Sequence, residues 1–351
     1  MKFKIKVLSP VHIKSGNTIS PYADFIYDNN CLLYMHNEKL WKDISKNETI
    51  LDEYVQVVKN RDTNSKEKYT LNDFLKRNGI NIEKYVFQKV NCNSDIKSME
   101  VSEIIKTSGR PYIPGSSIKG AIRTAILYNY LKLNGFDFDK LVDISAKKNK
   151  KNIYVGEDVM RKGKKNIQSD IMKFLQVSDT NCADIEDISV NLEYGVDYIN
   201  VKRSNKLSTK MPTAMESINK GTVFQFNIKC VKENKFFNDE EDVLKTIRKF
   251  YKDNIKRHIK VMEESSEEIF SNIISKYKEY LNAIDDGKCI LRIGSSKNFY
   301  DNTICNLFDE KDVSEKIAGV KYSLFPRNDW FILDSEKNYI KESLGWIEIM
   351  S

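Results

Sequence analysis

The chain has 351 residues, of which 40% are apolar and 11% aromatic, a composition that excludes wholesale disorder and suits one large or two ordinary domains. Its net charge of +7, from 57 basic and 50 acidic residues, is too modest to identify a nucleic-acid-binding protein by itself. No apolar run reaches the roughly 18 residues of a membrane span. The six scattered cysteines and three histidines predict no zinc ribbon and no multi-histidine metal site. We therefore expect a cytoplasmic protein with no membrane partner, metal or other cofactor.

The first third of the chain combines strand patterns with a charged helical region. Residues 2–9 and 22–36 have the apolar patterns of strands, and the chain opens on MKFKIKV, in which lysines alternate with apolar residues. The two segments flank a loop over 9–21 that is rich in serine, glycine and asparagine. Between 37 and 106, apolar residues recur at helical spacing among many charges. This pattern predicts a mostly helical insertion.

The most informative segment, residues 110–127, reads RPYIPGSSIKGAIRTAIL. An extended entry held by two prolines runs into glycine and serine and then into a helical pattern. Gly115 and Gly120 have no Cβ and therefore let a ligand approach the backbone closely. Ser116 or Ser117 can cap the start of the helix, where unpaired N–H groups and the positive end of the helix dipole suit an anion.

Two cations extend this predicted anion site along the helix. Lys119 and Arg123 are four residues apart and share one helix face, so the predicted ligand is a phosphate group. Four residues separate Gly115 from Gly120, as in a Walker A loop, but Ala121 stands where that loop requires lysine, and a nucleoside triphosphatase is not predicted. An ordinary turn and helix start with two solvated cations is the alternative interpretation.

A local concentration of positive charge follows this helix. Residues 147–166 contain eight Lys or Arg against Glu157 and Asp158, which gives the segment a charge of +6. Such a segment favours polyanions. A solvated loop is the alternative, because the glycines of this segment break any helix there.

The remainder of the chain interleaves strands with one long helical region. Strands are predicted at Phe174–Ser178, Ile188–Val201, Thr222–Val231, Cys289–Ile293 and, as a final pair, Trp330–Leu333 with Trp346–Ile349. Residues 240–284 are helical throughout, with an acidic stretch at 263–268 that is expected to separate two helices. Strands and helices without a repeating βαβ period favour an α+β fold.

The segment around Gly115 closely resembles the glycine-rich loop and following helix of the RAMP superfamily (repeat-associated mysterious proteins), the RNA-binding subunits of CRISPR effector complexes. Within that superfamily, the opening VLSPVHIKSG with Asp24–Ile26, and the ending from Phe325–Arg327 to Leu344–Ile347, resemble the fifth subunit of the type III-A (Csm) complex. Weaker similarity lies at 174–180, 215–226 and 291–304. The resemblance extends from end to end of the chain.

This resemblance implies a fold of two ferredoxin-like halves of the kind seen in RNA-recognition motifs. We expect residues 1–218 to form an N-terminal RAMP domain that carries the glycine-rich loop and the helical insertion 37–106. Residues 219–351 are expected to form a C-terminal RAMP-like domain with the long helical segment 240–284. The aromatic signature with which such sheets stack bases is missing, so RNA contact is expected through loops and phosphates.

The resemblance also implies a function and partners. It predicts a non-catalytic subunit that binds guide RNA and caps the 3′ (head) end of a Csm effector filament, aiding complex assembly and guide RNA maturation in antiviral defence. The expected partners are CRISPR guide RNA and the other Csm subunits, both filament backbone and small subunits, with host nucleases considered as a further partner. The residues expected to contact RNA are Gly115, Ser116, Ser117, Lys119, Gly120, Arg123, His12, Lys14 and Lys297.

Two of the predicted regions keep alternatives open. His12 suits general acid–base cleavage because the pKa of histidine lies near neutrality. Asp24 lies at a distance from the N-terminus loosely comparable to that of the catalytic aspartate of the filament subunit. An endoribonuclease is therefore one alternative. A purely protein-binding scaffold, docking through residues 37–106, is another. In the second loop, 292–299, only Gly294 remains of several glycines usual in the family, and a plain strand-to-helix connection competes with phosphate contact by Lys297.

Overall fold

The structure is a computed structural model that describes residues 1–59, 69–96, 98–137, 139–141, 156–161, 169–319 and 324–351. In this part of the chain the helices are α1 (Asn37–Ile44), α2 (Glu48–Lys59), α3 (Leu71–Arg77), α4 (Gly115–Asn134), α5 (Glu157–Met160), α6 (Tyr198–Ser204), α7 (Glu240–Asp285) and α8 (Glu310–Asp312). The strands are β1 (Lys2–Val7), β2 (Lys14–Ile19), β3 (Phe25–Asp28), β4 (Cys31–Met35), β5 (Val86–Cys92), β6 (Val101–Ile104), β7 (Lys106–Thr107), β8 (Arg110–Pro111), β9 (Leu175–Val177), β10 (Ile188–Asp197), β11 (Thr213–Ile218), β12 (Val223–Cys230), β13 (Cys289–Arg292), β14 (Asn328–Leu333), β15 (Ile340–Ser343) and β16 (Trp346–Met350).

An antiparallel sheet of five strands, in the order β13–β16–β1–β12–β9, forms one layer of the fold. Its central strand β1 alternates strictly between exposed lysines and the buried side chains of Phe3, Ile5 and Val7. On the buried face these side chains join one hydrophobic core with residues of α4 and α7. The two helices also contact each other, since the rings of Tyr128 and Phe250 lie 5.1 Å apart.

A larger sheet runs in the order β2–β6–β11–β10–β5–β4–β3, and β14 pairs with the later part of β10 and carries β15 beside it. Every residue of β10 is buried, as expected for a strand at the centre of a sheet that is covered on both faces. Helices α1, α2 and α3 pack on β3 and β4 around a second hydrophobic cluster that includes Leu40, Tyr54 and Phe74.

The predicted α+β architecture is confirmed, and so is the alternation of β1. Both sheets draw strands from either side of residue 218, and the domain boundary there stays a prediction. The range 37–106, predicted as a helical insertion, contains α1 to α3 but also supplies β5 and β6 to the larger sheet. The helix break predicted in the acidic stretch is confirmed, since Ser266 of α7 has an extended backbone conformation.

Three predicted elements differ from the structure. The loop expected over 9–21 contains β2, whose residues are nearly all exposed and which is held by backbone pairing with β6 instead of an apolar face. The strand expected to continue to Val201 ends at Asp197, whose side chain caps α6 by accepting from two backbone N–H groups. The two terminal strands, predicted as a pair, lie in different sheets, β14 beside β10 and β16 beside β1.

Most of the basic segment 147–166 lies outside the described residues, which include only 156–161 of it. Among the helices that the structure describes, none combines the length and the apolar character needed to cross a membrane.

Candidate nucleic-acid interface

The glycine-rich segment forms the start of α4, as predicted, but its capping differs. Pro114 occupies the N-cap position in an extended conformation, and its own side chain makes no capping hydrogen bond. Ser116 and Ser117 lie inside the first turn, so the prediction that a serine caps the helix is wrong. The N–H of Gly115 instead donates to the Oδ1 atom of Asp179, 2.7 Å away.

The two glycines of this segment have opposite environments. A Cβ on Gly115 would lie 2.4 Å from the carbonyl oxygen of Val177 and 2.6 Å from that of Ser178. Gly115 is therefore required by the close approach of the protein's own backbone at the end of β9, and not by a ligand. Gly120 is exposed and would meet nothing within 4 Å, so it offers bare backbone to the solvent, as the sequence predicted.

In the part of the chain that the structure describes, three cations lie beside the first turns of α4 and near one carboxylate. Arg123 Nη2 and Arg161 Nε each lie 3.4 Å from Oδ2 of Asp170. The other carboxylate oxygen of Asp170 accepts from the backbone N–H of Met172 at 3.0 Å. Burial lowers the pKa of the half-buried Lys119 ammonium, although the nearby Asp170 carboxylate opposes this shift. Among the described residues, Lys119, Arg123 and Arg161 thus lie around the Asp170 carboxylate, and such a group of cations suits an anion.

His12 does not belong to this surface. Its ring is 2% exposed, Nδ1 lies 2.6 Å from the carbonyl oxygen of Glu216, and Nε2 lies 3.1 Å from the Ser102 hydroxyl. Burial lowers the pKa of His12 to about 4, so the ring is neutral at pH 7. The ring therefore ties the segment after β1 to β6 and β11, and the predicted contact of His12 with RNA is wrong.

Asp24 also has a structural role. Its Oδ2 atom accepts from the backbone N–H of Ser20 at 2.8 Å, and Oδ1 accepts from the side-chain amide of Asn37 at 3.2 Å. These bonds close the turn before β3 and join it to α1. Within the described ranges, no three acidic, histidine or cysteine side chains form a group that could hold a metal ion.

Lys14 and the second loop lie away from α4. Lys14 is exposed on β2, an edge strand of the larger sheet, and Lys297 is half-buried, with its pKa lowered by burial. A Cβ on Gly294 would lie 2.5 Å from the carbonyl oxygen of His12, so this glycine serves packing within the protein. The loop follows β13 whereas Gly115 abuts β9, which puts the two loops at opposite edges of the five-stranded sheet, separated across its strands by roughly 20 Å at the usual strand spacing.

A buried ionic network behind the second loop had no sequence signal. Arg292 is completely buried, and its guanidinium donates to Asp301, to Asp329 and to the carbonyl oxygen of Leu344. The ring of Trp346 lies 5.7 Å from that guanidinium. Phosphate contact by Arg292 and base stacking by Trp346 are therefore both ruled out by burial. Only the tertiary structure shows that these buried charged side chains pair with one another.

The RAMP superfamily model matches residues 4–299. The chain is 34% identical over 254 residues to the CRISPR system Cms protein Csm5 of Methanocaldococcus jannaschii, a match that covers 70% of this chain but 56% of that longer relative. It is 26% identical over 267 residues to the Csm5 protein of Streptococcus thermophilus, covering 72% of this chain and 70% of the relative.

Solved structures show the same fold. One chain of a cryo-EM structure of a type III-A Csm–crRNA–target RNA ternary complex aligns with a TM-score of 0.69 at 21% identity, covering 99% of this chain and 100% of that chain. The crystal structure of T. onnurineus Csm5 aligns with a TM-score of 0.68 at 22% identity, covering 98% of this chain and 99% of the other. The chain therefore belongs to the RAMP superfamily, and its predicted resemblance to the fifth Csm subunit, Csm5, is confirmed.

Proposed function

We propose that this chain is a non-catalytic subunit of a type III-A Csm effector complex, and that it binds guide RNA through the first turns of α4. In this proposal it caps the 3′ (head) end of the filament and aids complex assembly and guide RNA maturation. Membership of the RAMP superfamily and similarity to Csm5 proteins support the complex. A structural neighbour that belongs to a complex with crRNA and target RNA supports RNA as the partner.

The observation that carries the RNA contact is the exposed surface of α4 around Gly120. Ser116 and Gly120 are exposed there, and Lys119 and Arg123 flank them on the same helix. The N–H of Gly115 already donates to Asp179, so the phosphate is best accommodated one turn further along α4, beside Gly120 and the two cations. Phosphate contacts of this kind position an RNA strand without reading its sequence.

Two observations support a non-catalytic role. The ring of His12 is buried and neutral with both nitrogens engaged, so it has no access to an RNA backbone. Both carboxylate oxygens of Asp24 accept hydrogen bonds within the protein. Neither residue has the accessible, partnered geometry that general acid–base or metal-assisted cleavage requires.

The RNA contact is tested with the double variant Lys119→Glu/Arg123→Glu. We expect it to bind guide RNA at least tenfold more weakly. The salt slope, which is the steepness with which the logarithm of the affinity falls with the logarithm of the salt concentration, should decrease by about 1.4, since each phosphate contact of a single strand contributes about 0.7. The measurement is filter binding across a salt series. Thermal unfolding is measured in parallel to separate lost binding from lost folding, because Arg123→Glu also places a second carboxylate beside Asp170.

The matched control is Lys202→Glu/Arg203→Glu, which makes the same charge change on the exposed face of α6. If the two double variants retain RNA equally well and with equal salt slopes, the proposed contact at α4 is wrong. Crosslinking separates the scaffold alternative, which predicts that guide RNA attaches to neighbouring subunits and never to residues 114–123.

Catalysis is tested directly. Purified protein is incubated with repeat-containing and target RNAs, with and without magnesium, and no discrete cleavage is expected. Cleavage that is present in the wild type and lost in Asp24→Ala or His12→Gln would establish the endoribonuclease alternative instead.

A further inference from the structure

The outer face of the five-stranded sheet carries a row of lysines. Lys2, Lys4 and Lys6 all point away from the core on the central strand β1, because their neighbours Phe3 and Ile5 point into it. Side chains two residues apart on a strand are separated by about 6.7 Å. The row therefore presents three ammonium groups at regular spacing on an open surface.

The neighbouring strands extend this face with polar side chains. In the register of β1 with β12, Lys2 lies opposite Asn227 and Lys4 opposite Gln225. Further along β12, Lys229 is exposed and lies opposite Gln176 of β9, which is also exposed. We call the surface formed by Lys2, Lys4, Lys6, Gln225, Asn227 and Lys229 the lysine face.

The lysine face has a strong excess of positive charge. No acidic side chain stands at an exposed position of β1, β12 or β9, all of which lie within the described residues. The nearest strand on the other side, β16, contributes the half-buried Glu348 opposite Lys6. Four lysines therefore stand against one carboxylate. Within the residues that the structure describes, none of the four lysines forms an ion pair.

This face is continuous with the start of α4. The hydroxyl of Ser178, just after β9, accepts from the backbone N–H of Asn227 at 3.0 Å. Gly115 packs directly on the backbone at Val177 and Ser178. One strand spacing, about 4.8 Å, separates β9 from β12, and a second separates β12 from β1. An extended chain that leaves the first turns of α4 can therefore pass straight onto the lysine face.

We propose that the lysine face binds the phosphates of a single RNA strand, the same strand that α4 holds, so that the RNA crosses β9 and β12 and then runs along β1. This inference rests on the proposed function. The spacing of the lysines, about 6.7 Å, matches two nucleotides of a stacked strand at about 3.4 Å each. The aromatic side chains of these strands, Phe3, Phe224 and Phe226, are buried, so the contact is with the backbone and is independent of sequence.

An acidic protein surface is the competing occupant, and the composition of the face argues against it. Protein interfaces are enriched in aromatic residues and depleted in lysine. The lysine face has four lysines, no exposed aromatic side chain and one partly apolar edge at Val223. Its amide side chains both donate and accept hydrogen bonds, which suits ribose hydroxyls and phosphates alike.

The test uses the full chain with the triple substitution Lys4→Glu/Lys6→Glu/Lys229→Glu and an unstructured single-stranded RNA as probe. Fluorescence anisotropy across a salt series should show binding weakened roughly tenfold to hundredfold near 0.1 M salt, and a salt slope lower by about 2. The matched control is Lys202→Glu/Lys206→Glu/Lys210→Glu, three exposed lysines next to the larger sheet, which should bind as the wild type does. If the triple variant fails to fold, Lys→Gln substitutions at the same positions replace it, with a smaller loss of affinity expected.

The outcomes separate this inference from the proposed function. If the lysine-face variant binds RNA like its control while Lys119→Glu/Arg123→Glu binds weakly, the inference is overturned and the α4 contact stands. If both variants bind like their controls, the proposed RNA contact itself fails. If the lysine-face variant keeps its RNA affinity but no longer co-purifies with other Csm subunits, the face is a protein interface, and the inference is again overturned.

Discussion

Substitution of Arg292 by methionine provides the sharpest test of what holds the second loop in place. The guanidinium is completely buried, with Nη1 2.8 Å from Asp301 and Nη2 3.3 Å from Asp329. His258 completes the network, with Nε2 3.0 Å from Asp301 and Nδ1 3.3 Å from Asp329. Two buried cations therefore balance two buried carboxylates, and the network is neutral as a whole.

Methionine fills much of the arginine volume but leaves this network one negative charge in excess. Breaking a buried ion pair by removing one partner typically costs about 3–5 kcal/mol. For a chain of 351 residues, an unfolding entropy of about 2.1 cal/mol/K per residue converts this cost to a melting temperature lower by roughly 4–7 °C. Differential scanning calorimetry and urea unfolding measure both quantities.

The control is Arg110→Met, which breaks the exposed pair of Arg110 with Asp184, whose side chains are 54% and 70% exposed. That pair should contribute at most about 1 kcal/mol. The double variant Arg292→Met/Asp301→Asn removes one charge of each sign and should be more stable than Arg292→Met alone. If Arg292→Met were destabilising only through lost packing, the double variant would be less stable than the single variant, and that result would refute the reasoning. A loss of stability in Arg292→Met no larger than that in Arg110→Met would also refute it.

Two further predictions concern pH and the glycines of α4. Burial lowers the pKa of His258, but the carboxylates of Asp301 and Asp329 outweigh it and raise the pKa from 6.5 to about 9. The folded protein thus holds this proton more tightly than the unfolded chain does, so the stabilisation, roughly 3 kcal/mol, is complete below pH 6.5 and is lost as the pH rises to about 9. Unfolding measured across this window should show that decline, and His258→Gln should flatten it. Gly115→Ala should destabilise the protein strongly, because its Cβ would lie 2.4 Å from the Val177 carbonyl oxygen, whereas Gly120→Ala, with nothing within 4 Å, should be neutral or stabilising by about 0.5–1 kcal/mol in parallel urea titrations. Equal effects of the two alanine substitutions would contradict this assignment of the glycines.

Local periodicity was sufficient to predict several elements of the fold. The alternation of lysines with apolar residues predicted β1, because successive side chains of a strand point to opposite faces, and an apolar pattern predicted β12. The long helical pattern of α7 and its interruption were also predicted from sequence, since helix propensity and apolar spacing act over a few turns. By contrast, β2 has no apolar face and exists only because β6 supplies its backbone partners, 80 and more residues away in the chain.

For the candidate site, the local sequence indicates the type of chemistry, whereas the packing of distant segments selects the residues that can perform it. The motif RPYIPGSSIKGAIR identified a helix start with cations beside it, because these features depend on neighbouring residues only. It did not reveal that Gly115 faces the backbone at Val177, or that His12 is bonded to Glu216, 204 positions away. The exposure of a polar side chain depends on which distant segments pack over it, and that information is absent from local spacing. The lysine face was visible as an alternating pattern in β1, but only the pairing of β1 with β12 and β9 brings it beside α4.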